Sequence, residues 1–280
     1  MKLTILGSGT SHGIPVIGCR CPVCCSADPR DQRMRSSLYI AGAAGERVVI
    51  DTGPEFRLQA IRAGITRLDA VLLTHAHADH VHGLDDLRPL CREKSMPVYG
   101  NRYTLAELRE RFSYAFRQTQ QGGGKPRITP RVIRKPVRIG NLSFTPVPVK
   151  HGVLDIVGWN IAEILPQERG IEESRVEAVY MTDTSMVPET SLELIHSPEV
   201  LIIGGLRIRP HETHFTFQEA LEFALRIQPR RVYLTHICHE HSCQEIDAYC
   251  QTFQAAHGGR GIPMGAAYDG LELDVSGTQS

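Results

Sequence analysis

The segment that most clearly carries chemistry is Asp69–Gly83, with the sequence DAVLLTHAHADHVHG. Its apolar run Ala70–Leu73 predicts a strand that ends just before three histidines and one aspartate within six residues. Such side chains do not suit a core, because each needs a hydrogen-bond partner when it is buried. Imidazole nitrogen and carboxylate oxygen are, however, donors that zinc accepts. The segment therefore indicates a metal site formed by His75, His77, Asp79 and His80, with His82 outside it.

Three further residues of these types follow predicted strands elsewhere in the chain. They are His151, Asp183 and His236, each directly after a strand or one residue beyond it. For any one of them alone, a polar residue with an ordinary hydrogen-bond partner is the more common case. Because all three occupy the same position relative to a strand, the pattern favours one shared site at the ends of the strands.

The segment THAHADH resembles the HxHxDH signature of the metallo-β-lactamase superfamily, and Ile50–Gly53 resembles a second motif, in which Asp51 helps to organise the metal loop. The resemblance runs from Leu3 to about Leu273. It implies an α/β fold, the four-layer αβ/βα sandwich, as a single domain over residues 1–280. It also implies two divalent metals, Zn²⁺ or Mn²⁺. The implied ligands are His75, His77 and His151 for the first metal, Asp79, His80 and His236 for the second, and Asp183 as a bridge, with Asp79 also counted as catalytic.

The N-terminal segment contains a second set of metal-binding residue types, because four cysteines lie between residues 19 and 25. In a reducing compartment such a cluster indicates metal binding rather than disulfides. The segment resembles the PhnP family, in which a C-x-C-x-x-C run and a late histidine hold a structural zinc in a loop that corresponds here to about residues 18–25. Cys25 and His241 are alternative ligands. The resemblance implies one structural Zn²⁺, in the closed tetrahedral set of Cys19, Cys21, Cys24 and His239.

A further candidate lies before the predicted helix Thr216–Ile227. In the PhnP family a histidine at this place contacts the substrate phosphate and protonates the leaving oxygen. The resemblance implies His214 in this role, with His211 as the alternative.

Together these residues predict a two-metal phosphodiesterase, in which the metals activate a water and an acid protonates the departing alkoxide. The residues themselves reach only a small-molecule phosphodiester. The resemblance implies a cyclic ester such as 5-phosphoribosyl 1,2-cyclic phosphate. Alternatives are a tRNA 3′-end endonuclease like tRNase Z, a thioester or lactone hydrolase, and a metal-stabilised binding module like PqqB. The seven complete ligands of the two-metal site speak against the last.

The elements that must position these residues alternate along both halves of the chain and predict a layered α/β sandwich. The locally basic run Lys125–Arg138 is interpreted as a solvated connection. Strands are predicted at Lys2–Leu6, Leu38–Ile40, Arg47–Ile50, Ala70–Leu73, Met96–Tyr99, Leu142–Val149, Val157–Ile164, Ala178–Thr182, Val200–Ile203 and Arg231–Leu234. Helices are predicted at Gly53–Ala63, Leu84–Leu90, Thr104–Gln121, Pro188–Ile195, Thr216–Ile227 and Cys243–Ala256.

Composition excludes several other classes of protein. With 41% hydrophobic and 22% charged residues, the chain is neither disordered nor built of membrane spans. Its 31 basic and 31 acidic residues cancel, so nucleic acid is not the expected partner. The start MKLTILGSGT lacks the apolar core of a signal peptide. We therefore expect a soluble, cytoplasmic protein without a membrane partner, and the family resemblance alone implies a homodimer.

Overall fold

The computed structural model describes residues 1–117, 124–164, 175–257 and 261–276. Within these residues the strands form two seven-stranded sheets, in the orders β14–β1–β2–β3–β4–β5–β6 and β13–β12–β11–β10–β9–β8–β7. The strand bounds are β1 Lys2–Gly7, β2 Ser37–Ala41, β3 Arg47–Ile50, β4 Ala70–Leu72, β5 Met96–Gly100, β6 Ile128–Val132, β7 Val137–Ile139, β8 Leu142–His151, β9 Leu154–Ile164, β10 Arg175–Met181, β11 Val200–Gly204, β12 Val232–Thr235, β13 Met264–Ala266 and β14 Glu272–Asp274.

The helices cover the outer faces of the two sheets. Their bounds are α1 Phe56–Arg62, α2 Ala78–Val81, α3 Arg102–Arg111, α4 Ser113–Phe116, α5 Glu189–Leu192, α6 Phe217–Ile227 and α7 Cys243–Ala256, with 3₁₀ turns at Pro29–Asp31 and Leu84–Cys91. Within the described residues, no helix has both the length and the hydrophobicity that crossing a bilayer requires.

Alternation along the strands produces the four layers. In β3, Val48 and Ile50 pack into the core between the two sheets, where Trp159 of β9 contributes from the opposite side. Val49 points the other way and packs with Phe56 of α1 and the first sheet's other helices. The second sheet likewise packs its outer face against α6 and α7. Successive side chains of a strand face opposite sides of the sheet, so the predicted four-layer αβ/βα sandwich is confirmed.

Several element predictions differ from the structure. The predicted helix Thr104–Gln121 is two helices, α3 and α4, which meet at Phe112 (φ −106°, ψ 36°), and its last residues lie outside the described ranges. The predicted helix Leu84–Leu90 is a 3₁₀ turn, and Pro89 inside it lacks the N–H that an α-helix needs. The interpretation of Lys125–Arg138 as a connection was wrong, because it contains β6 and β7. Both are edge strands without a fully buried side chain; β6 shows no alternation, and the alternation of β7 covers only three residues.

Two helices next to the predicted site begin at strong caps. Thr216 starts α6 and Ser242 starts α7, each in a capping box with the glutamate three residues later. The side chain of a capping box satisfies backbone N–H groups that the first turn leaves free. These caps define where the loops that carry His214 and His236 must end.

Candidate metal centre

The end of β8, the segment after β4 that includes α2, and the loops after β10 and β12 bring the predicted ligands together. One group contains the imidazoles of His75, His77 and His151, and a second contains Asp79, His80, Asp183 and His236. In each group the possible ligand atoms all lie within 4.8 Å of one another. His82 belongs to neither group, and its ring lies against Phe112.

Asp183 belongs to the second group and also lies close to His151 of the first. Its Oδ2 is 3.2 Å from Nε2 of His80, and its Oδ1 is 3.1 Å from Nε2 of His236. It also forms a third cluster with His151 and His214, again within 4.8 Å. Asp79 completes the second group, with its Oδ2 3.2 Å from Nε2 of His80. The carboxylate of Asp183 is therefore within reach of both groups.

The backbone at these strand ends has an unusual conformation. Asp51 (φ 62°), Asp183 (φ 54°) and His236 (φ 56°) all lie in the left-handed region. A residue with a Cβ pays about 1–3 kcal/mol for such a conformation, and it persists where the surrounding structure enforces it. Strain of this kind clusters at functional sites. Here it is found at the residues that follow β3, β10 and β12.

Hydrogen bonds to Nδ1 orient three of the imidazoles. His80 donates from Nδ1 to Oδ2 of Asp51 over 2.8 Å, and His151 donates from Nδ1 to the carbonyl of Thr213 over 2.7 Å. Thr74 uses its hydroxyl hydrogen on Asp51, so its oxygen accepts from Nδ1 of His75 over 3.0 Å. Since a neutral imidazole carries one N–H, each ring keeps an Nε2 lone pair for the site.

Unsatisfied buried atoms test whether metals fit. Nε2 of His75 is buried without a hydrogen-bond partner among the described residues. Nε2 of His80 and of His236 lies close to carboxylate oxygens but makes no hydrogen bond with them. Leaving such an atom unpaired costs about 1–3 kcal/mol. Divalent cations between imidazole and carboxylate ligands would satisfy all of them, so the donor set fits two metals.

The charges of the second group point the same way. Burial raises the pKa of Asp183. The adjacent His236 and His80 lower it by more than burial raises it, so the pKa lies well below its usual range. Burial lowers the pKa of His80, whereas Asp183, Asp79 and Asp51 raise it more, and it lies well above its usual range. The carboxylates thus hold a positive charge between them, and a metal ion would supply that charge in place of a proton.

The Cys-rich loop brings its predicted ligands together as a separate group. Nδ1 of His239 is 3.3 Å from Sγ of Cys19 and 3.5 Å from Sγ of both Cys21 and Cys24. The backbone N–H of Cys24 donates to Sγ of Cys21 and lowers the pKa of that thiol to about 6. Cys25 is exposed, and neither it nor His241 joins this group. Three thiols and one imidazole at these distances fit a closed zinc site.

A buried arginine that sequence reasoning missed links the two sites. The side chain of Arg33 is 0% exposed and pairs with Asp31 over 3.1 Å. It also donates to the carbonyls of Cys238 (2.9 Å) and His241 (3.0 Å), on either side of His239. Arg33 therefore holds the loop that supplies His236 to the second group and His239 to the Cys-rich group. A single arginine carries no signal of burial in the sequence, since most arginines are exposed.

Of the two candidate acids, His214 is the one at the site. Its Nδ1 is 3.9 Å from Oδ1 of Asp183, and its ring stacks on His236 with centroids 4.8 Å apart. Burial, with His236 nearby, lowers the pKa of His214 to about 3. His211 is exposed, and its Nδ1 accepts from the backbone N–H of Thr213.

A cavity of about 460 Å³ opens beside the first group of imidazoles. His75, Ala76 and His77 form one side of it, so the cavity adjoins the first group. Its volume lies in the range of about 300–1,000 Å³ that is typical of small-molecule sites.

Comparison with known proteins relates this geometry to a family. Residues 46–237 match the beta-lactamase superfamily domain. The crystal structure of a diphosphatase from the PhnP family is similar, with 35% sequence identity and a TM-score of 0.80 over 97% of this chain and 96% of that one. Zn²⁺-bound PqqB from Methylobacterium extorquens shares the fold, with 20% identity and a TM-score of 0.77 over 98% of this chain and all of that one.

A third comparison concerns a longer protein. An octanoyltransferase of Porphyromonas gingivalis is 38% identical over 242 residues, which are 85% of this chain but 46% of that protein. The chain likewise spans 34% and 38% of the next two curated relatives, both PQQ synthesis proteins B. It thus covers less than half of the length of the curated relatives that it first matches.

Proposed function

Because this chain belongs to the beta-lactamase superfamily and, within it, to the PhnP family, we propose that it is a two-metal phosphodiesterase that hydrolyses a small cyclic phosphodiester. The observation that supports this most is the position of Asp183, whose carboxylate lies within reach of both imidazole groups. The ester implied by the resemblance is 5-phosphoribosyl 1,2-cyclic phosphate.

Seven residues would hold the catalytic metals. When bound, two divalent metals lower the pKa of a water molecule and neutralise the charge that develops on the phosphate oxygens. The first would be held by the group His75, His77 and His151, and the second by the group Asp79, His80 and His236. Asp183 would bridge them. The two ions would be Zn²⁺ or Mn²⁺, and a third, structural Zn²⁺ would be held by Cys19, Cys21, Cys24 and His239.

The protein residues around the ligands keep this arrangement rigid. Asp51 and the carbonyl of Thr213 fix the rings of His80 and His151 through Nδ1, which leaves Nε2 of each ring for the metal site. Groups oriented before the reaction stabilise a transition state without paying for reorganisation at that moment. The fixed ring orientations therefore contribute to the rate as well as to metal affinity.

We propose that His214 is the acid that protonates the leaving oxygen. Its ring stacks on one ligand, His236, and lies within 3.9 Å of another, Asp183, while belonging to neither of the two main ligand groups. Imidazole is the side chain best suited to proton transfer near neutral pH. Because its pKa is lowered to about 3, the ring is uncharged at neutral pH; it would take the proton that the attacking water loses and donate it to the departing alkoxide.

A leaving-group series tests this assignment. The His214→Ala variant should lose about 10²–10⁴-fold in kcat on an alkyl cyclic phosphodiester, whose alkoxide needs protonation. It should lose far less on bis(p-nitrophenyl) phosphate, whose phenolate leaves without an acid. His211→Ala is the matched control and should resemble the unmodified protein on both esters. An equal loss on both esters would assign His214 to metal binding or structure instead.

The second candidate is hydrolysis of a diphosphate ester. The specific observation in its favour is the likeness to a PhnP-family diphosphatase over nearly the full length of both chains. Both reactions place water at phosphorus, so the same residues serve either. The octanoyltransferase relationship favours a carbonyl substrate less, because more than half of that protein lies outside the match.

The deciding experiment is an ester panel with the metal-loaded protein. It contains 5-phosphoribosyl 1,2-cyclic phosphate, a 2′,3′-cyclic nucleotide, a nucleoside diphosphate ester, an acyl thioester, a lactone and precursor tRNA. The proposal predicts the highest kcat/KM on a cyclic phosphodiester. Preferred cleavage of the diphosphate would favour the second candidate. Turnover of the thioester, the lactone or the tRNA alone would contradict both.

A further inference from the structure

The cavity beside the first imidazole group has two opposing walls that are tied together. One wall is the start of α3, with Tyr103, and the other is the beginning of β9 with the turn before it. Asn101 caps α3 by accepting from the N–H of Thr104 over 2.8 Å, and its side-chain amide donates to the carbonyl of Asp155 over 3.1 Å. One residue therefore fixes the distance between the two walls.

The α3 wall is also fixed to the metal loop. Arg111 donates from Nη1 to the carbonyl of Ala76 over 2.7 Å. Ala76 lies between His75 and His77, so this hydrogen bond sets α3 relative to two of the imidazoles. A group bound against α3 would consequently be held at a defined distance from the metal site.

Away from His75 and His77, the charges of the cavity walls disfavour an anion. Among the described residues that line it, the charged ones are Glu107, Arg111 and Asp155. Arg111 already pairs with Glu107 over 3.0 Å, and Asp155 pairs with Lys150 over 2.6 Å. The lining thus carries two carboxylates against one guanidinium that is engaged. A second phosphate group placed here would find no unpaired cation, whereas an uncharged group meets no such penalty.

The walls expose apolar surface instead. Tyr103 is 71% exposed, Val153 92% and Leu154 44%. Ten large hydrophobic side chains are exposed in the described part of the chain, and these three surround one cavity. Exposed apolar side chains that cluster at a cavity mark a ligand site, whereas singly scattered ones do not.

We infer that this cavity binds an uncharged aromatic group of the substrate, with the chemistry of a nucleobase, and that Tyr103 stacks against it. This inference rests on the proposed phosphodiesterase function and deepens it. The metal site alone does not distinguish one cyclic ester from another, whereas the cavity gives the protein a preference among them. Nucleotide esters are then preferred over sugar esters in which a second phosphate would have to enter the cavity. Such an ester is 5-phosphoribosyl 1,2-cyclic phosphate, so the inference keeps the proposed reaction but replaces the ester that the resemblance implies.

A pair of matched esters tests the inference. Adenosine 2′,3′-cyclic phosphate and methyl ribofuranoside 2,3-cyclic phosphate differ only in the base, which a methoxy group replaces. Stacking of a base on an aromatic side chain supports an advantage of about tenfold or more in kcat/KM for the nucleotide. Tyr103→Ala should remove most of this advantage through KM, and Tyr103→Phe should retain it. Tyr114→Ala is the control, because Tyr114 is exposed but does not line the cavity.

Binding separates a failure of this inference from a failure of the proposed function. Saturation-transfer NMR with adenosine monophosphate on the metal-free protein should show contact at the base protons, and Tyr103→Ala should abolish it. That result would support the cavity assignment even if neither ester were hydrolysed. Hydrolysis of both esters at equal kcat/KM, or base contacts that persist in Tyr103→Ala, would overturn it.

Discussion

Asp51 and His80 are both fully buried and share a hydrogen bond of 2.8 Å between Oδ2 and Nδ1. Asp51 also accepts the backbone N–H and the hydroxyl of Thr74, each over 2.8 Å. One carboxylate therefore joins the end of β3 to the loop after β4 and turns Nε2 of His80 toward Asp79 and Asp183. Among the described residues, the carboxylate of Asp51 hydrogen-bonds with Thr74 and with the proposed ligand His80, so we propose that it positions the ligands.

The first prediction concerns this positioning role. In Asp51→Asn an uncharged amide, with only one acceptor oxygen, replaces the carboxylate that accepts from His80. The ring of His80 therefore loses its fixed orientation and part of its basicity. Loss of such a partner typically weakens metal binding about 10–100-fold. Competition titration with a metal chelator measures the effect. Asp69→Asn is the control, since Asp69 accepts from the backbone N–H of Arg47 away from the ligands. Equal affinities in the two variants would refute the role of Asp51.

A second prediction follows from the central position of Asp183. Removing its carboxylate in Asp183→Ala should disable both catalytic metals together, and the structural zinc should remain. The metal content by plasma mass spectrometry should fall from about three to about one per chain. Glu212→Ala is the control, because Glu212 is exposed and joins no group. If Asp183→Ala kept two catalytic metals and full activity, the bridging role would be wrong.

The third prediction separates the structural site from the catalytic one. Cys21→Ser should lose one metal per chain, because an alcohol does not replace a thiolate in a Cys₃His set. Cys25→Ser should lose none, since the exposed Cys25 lies outside the group although it is adjacent to Cys24. Metal content and thermal unfolding measure both effects. A loss of metal in Cys25→Ser, with none in Cys21→Ser, would show that Cys25 and not Cys21 is the ligand.

The fourth prediction concerns the stability that Arg33 contributes. Arg33→Met removes the cationic partner of the buried Asp31, which keeps only the backbone N–H of Cys243, and the donor to the carbonyls of Cys238 and His241. Breaking a buried pair in this way costs about 3–5 kcal/mol. Arg30→Met removes a surface arginine that pairs with Asp28 and Asp247, and should change the free energy of unfolding by about 1 kcal/mol at most. Guanidinium unfolding compares the two variants. Similar small losses in both would show that Arg33 does not hold the loop.

The residues of the metal groups could be predicted because their types are out of place in a core. Three histidines and an aspartate directly after an apolar strand need an explanation, and His151, Asp183 and His236 repeat the strand-end position. The layered α/β sandwich could be predicted from the strand and helix signals along the chain, and its four layers from the family resemblance. The start of α7 at Cys243 also agrees with the prediction, since Ser242 and Glu245 form a capping box that the sequence spells out.

What the sequence leaves open depends on contacts between distant residues. The left-handed backbone of Asp51 and its bond to His80 join positions 29 residues apart, and no local pattern indicates them. The burial of Arg33 depends on carbonyls more than 200 residues away. β6 escapes detection because this edge strand buries too little surface to show alternation, and β7 because its alternation covers only three residues.

The central claim is that phosphodiester hydrolysis needs two metals at one site, and a metal titration tests it most directly. Metal-free protein is given increasing Zn²⁺ or Mn²⁺, with bound metal per chain and turnover of bis(p-nitrophenyl) phosphate measured on the same samples. The proposal predicts negligible turnover at one metal per chain and full turnover only as the content approaches three. Since one of the three metals is structural, full turnover at two metals per chain, or no turnover at three, would contradict it.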